Sequence, residues 1–180
     1  MNRKNFLKAT GILSISSLVS GNLFGQNEKP KTNNSEIKVK IVLKDEGTTL
    51  NFLGDKQLIK LAGKDTDEKL AQIYQEKPPK THIPLHVHTK EDEIYNIIEG
   101  EIEFTVGGKT SLLKSGDTIL LPRNIPHTWK VVGTTTAKVY LSIFPAGLEH
   151  MFEELNKLPA GPPDFAKIAA VCKPYGIQFM

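Results

Sequence analysis

From Glu36 to Ile143 the sequence is a succession of short apolar runs, broken every six to twelve residues by glycine, proline, asparagine or aspartate. No stretch between them carries the three-to-four-residue spacing of an amphipathic helix. That cadence argues against a helical bundle and against a parallel sheet of βα units, which needs a helix between successive strands. It fits a sandwich or barrel of antiparallel strands. Glu36 to Leu43 alternates with Ile37, Val39, Ile41 and Leu43 on one side, which predicts a half-buried strand. Further strands are predicted at 49–53, 57–61, 69–75, 94–98, 101–106, 111–114, 118–121, 127–132 and 138–143. Gly107-Gly108 is a hairpin signal, because glycine takes the positive φ that a tight turn needs. Helical spacing appears only near the end. Leu148, Phe152, Leu155 and Leu158 lie between Gly147 and Pro159, and Phe165, Ile168, Ala169 and Cys172 follow Pro163. Two short helices packed back on the strands are expected there, with Gly176 to Phe179 adding apolar contacts or an edge strand.

The charge is unevenly placed. There are 23 basic and 20 acidic residues, and Arg3, Lys4 and Lys8 fall in the first 25 positions, which hold no acid. The remainder is balanced and offers no clustered cations for phosphate, so nucleic acid is not an expected partner. Residues 1–25 place those cations before a small-residue and apolar stretch from Ala9 to Val19, the layout of an export signal. The stretch is too short and too rich in serine and glycine for a membrane span, so none is expected in the mature protein. Its opening, Arg3-Lys4-Asn5-Phe6-Leu7-Lys8, resembles the twin-arginine type with Lys4 in place of the second arginine. A periplasmic or secreted location follows. Residues 26–35 are polar and aperiodic and read as a flexible leader. The single cysteine, Cys172, has no partner in the chain and is expected to be a buried, inert thiol.

Two of the five histidines form His86-Val87-His88. On a strand, residues two apart point to the same side, so the pair delivers two imidazoles to one point. Glu93 follows a polar turn and begins the next strand, and His127 opens a later one just after Pro126. Three imidazoles and a carboxylate form a ligand set for one divalent transition metal, with room left for water or a small-molecule substrate. Burying such groups together is costly without metal or hydrogen bonds. Projection from Glu93 puts Tyr95, Ile97 and Glu99 on its face, and projection from His127 adds Trp129 and Val131. Tyr95 and Trp129 then line the substrate pocket, where they can stack on a planar compound, or serve as ordinary core. Phe104 and Leu120 read as core. His82 reads as a surface histidine or as one that supports the ligands or transfers a proton, His150 as a surface histidine, and Lys90, Glu91 and Asp92 as a polar loop without assigned chemistry. No serine elbow, phosphate-binding loop, dinucleotide glycine pattern or Cys–His dyad competes with this set.

The segment from Pro84 to Gly100, PLHVHTKEDEIYNIIEG, resembles the first motif of the cupins, G-x5-H-x-H-x(3,4)-E-x6-G. His86, His88, Glu93 and Gly100 match it, and Lys80 stands at the leading glycine. The segment from Gly116 to Val131 resembles the second motif, G-x5-P-x-G-x2-H-x3-N. There Gly116, Pro122 and His127 match, while Asn124 and Val131 replace the inner glycine and the final asparagine. The resemblance implies an all-β, double-stranded β-helix barrel of the jelly-roll kind over residues 36–145, with core motifs at 84–131 and a helical extension over 146–180. It also implies one metal (iron, manganese, nickel, copper or zinc) at His86, His88, Glu93 and His127, and frequent homodimers. Family activities run from dioxygenases, isomerases and decarboxylases to plain binding domains. Single-domain members with this layout are similar to quercetinase-like dioxygenases. The expected function is therefore a metal-dependent dioxygenase acting on a small aromatic or enolic compound, with Glu93 in a catalytic role. The alternatives are a metal-dependent isomerase and a non-catalytic small-molecule-binding cupin.

Overall fold

The computed structural model describes residues 37–52, 54–159 and 162–180. The export segment at 1–25 and the leader at 26–35 lie outside the described residues. Among the described residues, eleven strands and two α-helices follow one another as β1 (Thr48–Phe52), β2 (Asp55–Leu61), β3 (Ala71–Lys77), β4 (His82–His88), β5 (Asp92–Glu99), β6 (Glu101–Val106), β7 (Lys109–Lys114), β8 (Thr118–Leu121), β9 (His127–Val132), β10 (Ala137–Phe144), α1 (Glu149–Leu155), α2 (Phe165–Cys172) and β11 (Ile177–Phe179). They build two antiparallel sheets. One has the order β1-β2-β3-β10-β5-β8, the other β11-β4-β9-β6-β7. From β4 to β10 the chain passes back and forth between them, as a jelly roll requires. The fold is all-β, a double-stranded β-helix with two short C-terminal helices.

Alternation explains the core. β5 sends Glu93, Tyr95 and Ile97 inward, β6 sends Ile102 and Phe104, and β10 sends Val139, Leu141 and Ile143. The two sheets meet face to face, with the Tyr95 and Phe104 ring centroids 5.3 Å apart. Each fully buried aliphatic or aromatic side chain here is worth roughly 1.5–3 kcal/mol relative to an exposed one. The helices close one side of this core through Leu148, Met151, Leu155, Ile168 and Cys172. Asp164 caps α2, its carboxylate accepting from the Lys167 amide. β11 then pairs with β4, placing Ile177 opposite His88 and Phe179 opposite His86. No helix among the described residues is long and apolar enough to cross a membrane.

Three sequence expectations are corrected. Residues 37–43 form no strand, and Ile37, Val39, Ile41 and Leu43 are all exposed, Val39 at 95%. No strand among the described residues pairs with them. The stretch is instead tied down by its polar groups: Lys40 pairs with Asp65, and the Lys60 ammonium donates to the carbonyls of Leu43, Lys44 and Glu46. Leu120 is exposed rather than core, because Leu121 stands opposite Glu93 and takes the inward parity. Glu99 leaves the Glu93 face at a register shift between β5 and β10, and it pairs outside with Lys138.

Candidate metal centre

His86 and His127 are direct cross-strand partners of β4 and β9, so their side chains leave the same sheet side by side. His88 follows two residues on, and Glu93 reaches in from β5 of the facing sheet. All four are buried, at 4% exposure or less. Two loop contacts hold the motifs in place. The Asn124 amide donates to the His88 carbonyl, and Arg123 grips Asp92 through its amide, Nε and Nη2. At both motif positions where glycine is replaced, the backbone keeps the left-handed turn: Lys80 has φ +70° and Asn124 φ +63°. A side chain there costs on the order of 1 kcal/mol, which the surrounding strands must offset.

The imidazole tautomers are set by carbonyls. His86 Nδ1 lies 2.9 Å from the Pro84 oxygen and His127 Nδ1 lies 3.0 Å from that of Ile125. A carbonyl only accepts, so each Nδ1 carries a proton, and in the neutral ring each Nε2 keeps its lone pair. These Nε2 atoms converge. His86 Nε2 and His88 Nε2 are 3.1 Å apart, and Glu93 Oε2 is 3.7 Å from His88 Nε2 and 3.6 Å from His127 Nε2. His127 Nε2 is buried without a hydrogen-bond partner in the protein. The ligand atoms of the three histidines fall within 4.8 Å of one another. Metal–nitrogen bonds of about 2.0–2.1 Å space neighbouring ligand atoms about 3 Å apart. The donor set and its orphaned nitrogen therefore fit a transition-metal ion.

The electrostatics favour the binding forms. Burial, then the His127 and His88 rings, hold His86 down at about 4, and burial also lowers His88. Burial alone would raise Glu93, but the imidazoles of His88, His127 and His86 outweigh it and hold the carboxylate at about 2. His127 moves the other way. Burial works to lower it, yet the Glu93 carboxylate 3.6 Å from its Nε2 leaves it raised. A cation at the centre would displace this proton.

Beside the four side chains opens a cavity of about 1160 Å³, lined by His86, His88, Glu93, Tyr95 and Trp129, and by Met151, Leu155 and Ile168 of the helices. Burial and then the Glu93 charge keep the Tyr95 phenol protonated. His82 is exposed at the rim, and His150 is exposed on α1, bonded to Glu153. Cys172 is buried, and burial pushes its thiol up to about 11, an inert state. Sequence reasoning passed over Glu91. It is buried at 5% exposure, with Oε2 3.9 Å from His88 Nδ1. Its place three residues after His88 was the available signal, obscured by the surrounding Lys90 and Asp92.

Comparison with known proteins supports the cupin resemblance over the part of the chain that holds this site. Residues 73–144 match the family model described as Cupin domain, a segment containing all four converging side chains. An uncharacterized protein of Methanocaldococcus jannaschii is 34% identical over 61 residues, covering 34% of this chain and 49% of that protein. Quercetin 2,3-dioxygenase of Bacillus subtilis is 36% identical over 56 residues, covering 31% of this chain and 17% of that protein. The chain thus matches about half or less of the length of these curated relatives. Among solved structures, a predicted oxalate decarboxylase from Thermotoga maritima superposes with a TM-score of 0.53 at 25% identity, covering 59% of this chain and 99% of that one.

Proposed function

We propose that the cupin domain carried by this chain holds one divalent transition metal at His86, His88, Glu93 and His127 and acts as a dioxygenase on a small aromatic or enolic compound. The observation that carries the reading is the convergence of three imidazole nitrogens and a carboxylate beside a cavity, lined by His86, His88 and Glu93, that is large enough for a bicyclic or tricyclic substrate. Local similarity to a quercetin 2,3-dioxygenase supports the choice of reaction class. Bound there, the metal would supply open coordination positions and redox chemistry toward dioxygen.

The protein's own part is binding, orientation and proton handling. The carbonyls of Pro84 and Ile125 fix the imidazole planes of His86 and His127. Glu93, ionised at neutral pH, can accept the proton of a substrate hydroxyl, and a carboxylate can shift between one-oxygen and two-oxygen contact as it does so. Tyr95 and Trp129 give the substrate's flat body two aromatic surfaces. Met151, Leu155 and Ile168 keep the helical side of the cavity apolar and limit water.

The test is oxygen uptake by iron-, manganese- and nickel-loaded protein against flavonols, catechols and β-diketones. Uptake that disappears in Glu93→Gln with the metal retained is the expected result. Turnover at the same rate without dioxygen would reject the dioxygenase and point to an isomerase. Tight ligand binding without turnover for any metal would point to a binding domain. The cations and apolar stretch of residues 1–25 motivate a second proposal, that the protein is exported before it acts. A reporter enzyme fused behind residue 35 should become active outside the cytoplasm, and activity confined to the cytoplasm would refute this.

A further inference from the structure

Away from the histidines, the inner face of the first sheet changes character. β3 points Ala71, Ile73, Gln75 and Lys77 inward, all at 2% exposure or less. The first two join the apolar core, whereas the last two bring an amide and an ammonium to the cavity wall. Gln57 of β2 stands directly opposite Gln75. Asp55, two residues earlier on the same face, bonds the Lys77 ammonium at 2.9 Å. That ammonium also lies 3.9 Å from the centroid of the Trp129 ring. Asp55, Gln57, Gln75 and Lys77 line the same cavity as His86, His88 and Glu93.

Three oxygens of this patch, Asp55 Oδ1, Gln57 Oε1 and Gln75 Oε1, are buried with no hydrogen-bond partner in the protein. Leaving one such group unsatisfied costs about 1–3 kcal/mol. Three together on a cavity wall, where aliphatic residues would satisfy packing alone, point to a ligand that supplies the missing bonds.

We propose that Asp55, Gln57 and Gln75 form a subsite for the hydroxyl groups of a neutral aromatic ligand whose opposite end faces the histidine cluster. The identity of that opposite end rests on the dioxygenase reading. Hydroxyls follow from the donor inventory. A carboxylate oxygen only accepts, so the group facing Asp55 must donate. A glutamine amide presents an acceptor or a donor according to which way it is turned, so the group facing Gln57 and Gln75 must serve in either sense. A hydroxyl does both. Charge excludes the ionic alternatives. Within the patch Asp55 already matches Lys77, so the subsite itself offers an anionic group no unpaired cation. A cationic ligand would be set against the Lys77 ammonium. Trp129, which carries that ammonium over its ring, also lines the cavity between the subsite and the histidines.

The experiment compares two flavonols, quercetin and 3-hydroxyflavone, which share the enol end but differ in hydroxyls on the remote rings. Their affinities are measured without oxygen on metal-loaded wild type, Gln57→Leu and Gln75→Leu, with metal content as the check on folding. Gln75→Met, close in shape, replaces any leucine variant that loses its metal. Wild type should prefer quercetin by at least about tenfold, and the preference should fall to about threefold or less in the glutamine variants. No preference in wild type, a preference unchanged in the variants, or no binding of either flavonol would overturn the subsite. Oxygen uptake is scored separately. A preference that depends on the glutamines with no uptake sinks the dioxygenase and leaves the subsite standing, whereas uptake without the preference does the reverse.

Discussion

Glu91 Oε2 lies 3.9 Å from Nδ1 of His88, and neither atom has a hydrogen-bond partner in the protein. The pair occupies the position from which a carboxylate steadies a metal-ligating imidazole. Burial, only partly countered by Lys90, pushes Glu91 up to about 7. An acid with a raised folded pKa contributes its full stability below its unfolded value near 4.5 and loses it as pH climbs through the folded value. Metal-free wild type should therefore lose stability relative to Glu91→Gln between about pH 4.5 and 7. Melting curves of both proteins in chelator should show a gap that widens by several degrees in the variant's favour across that range. A constant gap would show that Glu91 is not held protonated by its surroundings.

Gly100 joins β5 to β6, where the chain leaves one sheet for the other, and it does so at φ +81°. A Cβ built there would stand 2.8 Å from the Ala137 Cα and 3.2 Å from the Thr136 carbonyl oxygen. Both the turn and the close approach therefore demand glycine. Gly100→Ala should lower unfolding stability by about 1–3 kcal/mol in urea titrations. A loss of a few tenths would mean that the β10 backbone can move aside.

The C-terminal segment should be integral to the fold. Leu148 is fully buried, and β11 covers the edge of the strand that carries His86 and His88. Leu148→Ala should cost about 2–5 kcal/mol. Truncation after Pro145 should lower the melting temperature markedly or leave the protein insoluble, since it uncovers both the core and the β4 edge. A soluble truncated protein with an unchanged melting point would reduce the segment to an appendage.

Much of the candidate centre was legible because strand parity is rigid. A His-x-His pair on a strand has only one geometry, and Glu93 and His127 sit at strand starts marked by a polar turn and a proline. The polar subsite was not legible. In Ala71-Gln72-Ile73-Tyr74-Gln75-Glu76-Lys77 both parities mix polar and apolar residues, and only the pairing with β10 and β2 shows which side is inside. Leu120 failed for the same reason, in a run of Ile119, Leu120 and Leu121 with apolar residues on both faces. Residues 37–43 show the converse. Their alternation is clean, but a pattern states that one face is apolar and not that a partner exists to cover it.

The most direct test of the account is the metal content of the purified protein, measured by elemental analysis on wild type, His86→Ala and His127→Ala prepared in parallel without chelating resin. Each removed imidazole takes away a ligand nitrogen from the point where His86, His88, His127 and Glu93 meet. Wild type should carry close to one equivalent of a divalent transition metal per chain, and each variant should lose most of it while keeping its all-β circular-dichroism spectrum. Folded variants that retain the full wild-type metal content would contradict the assignment of this centre.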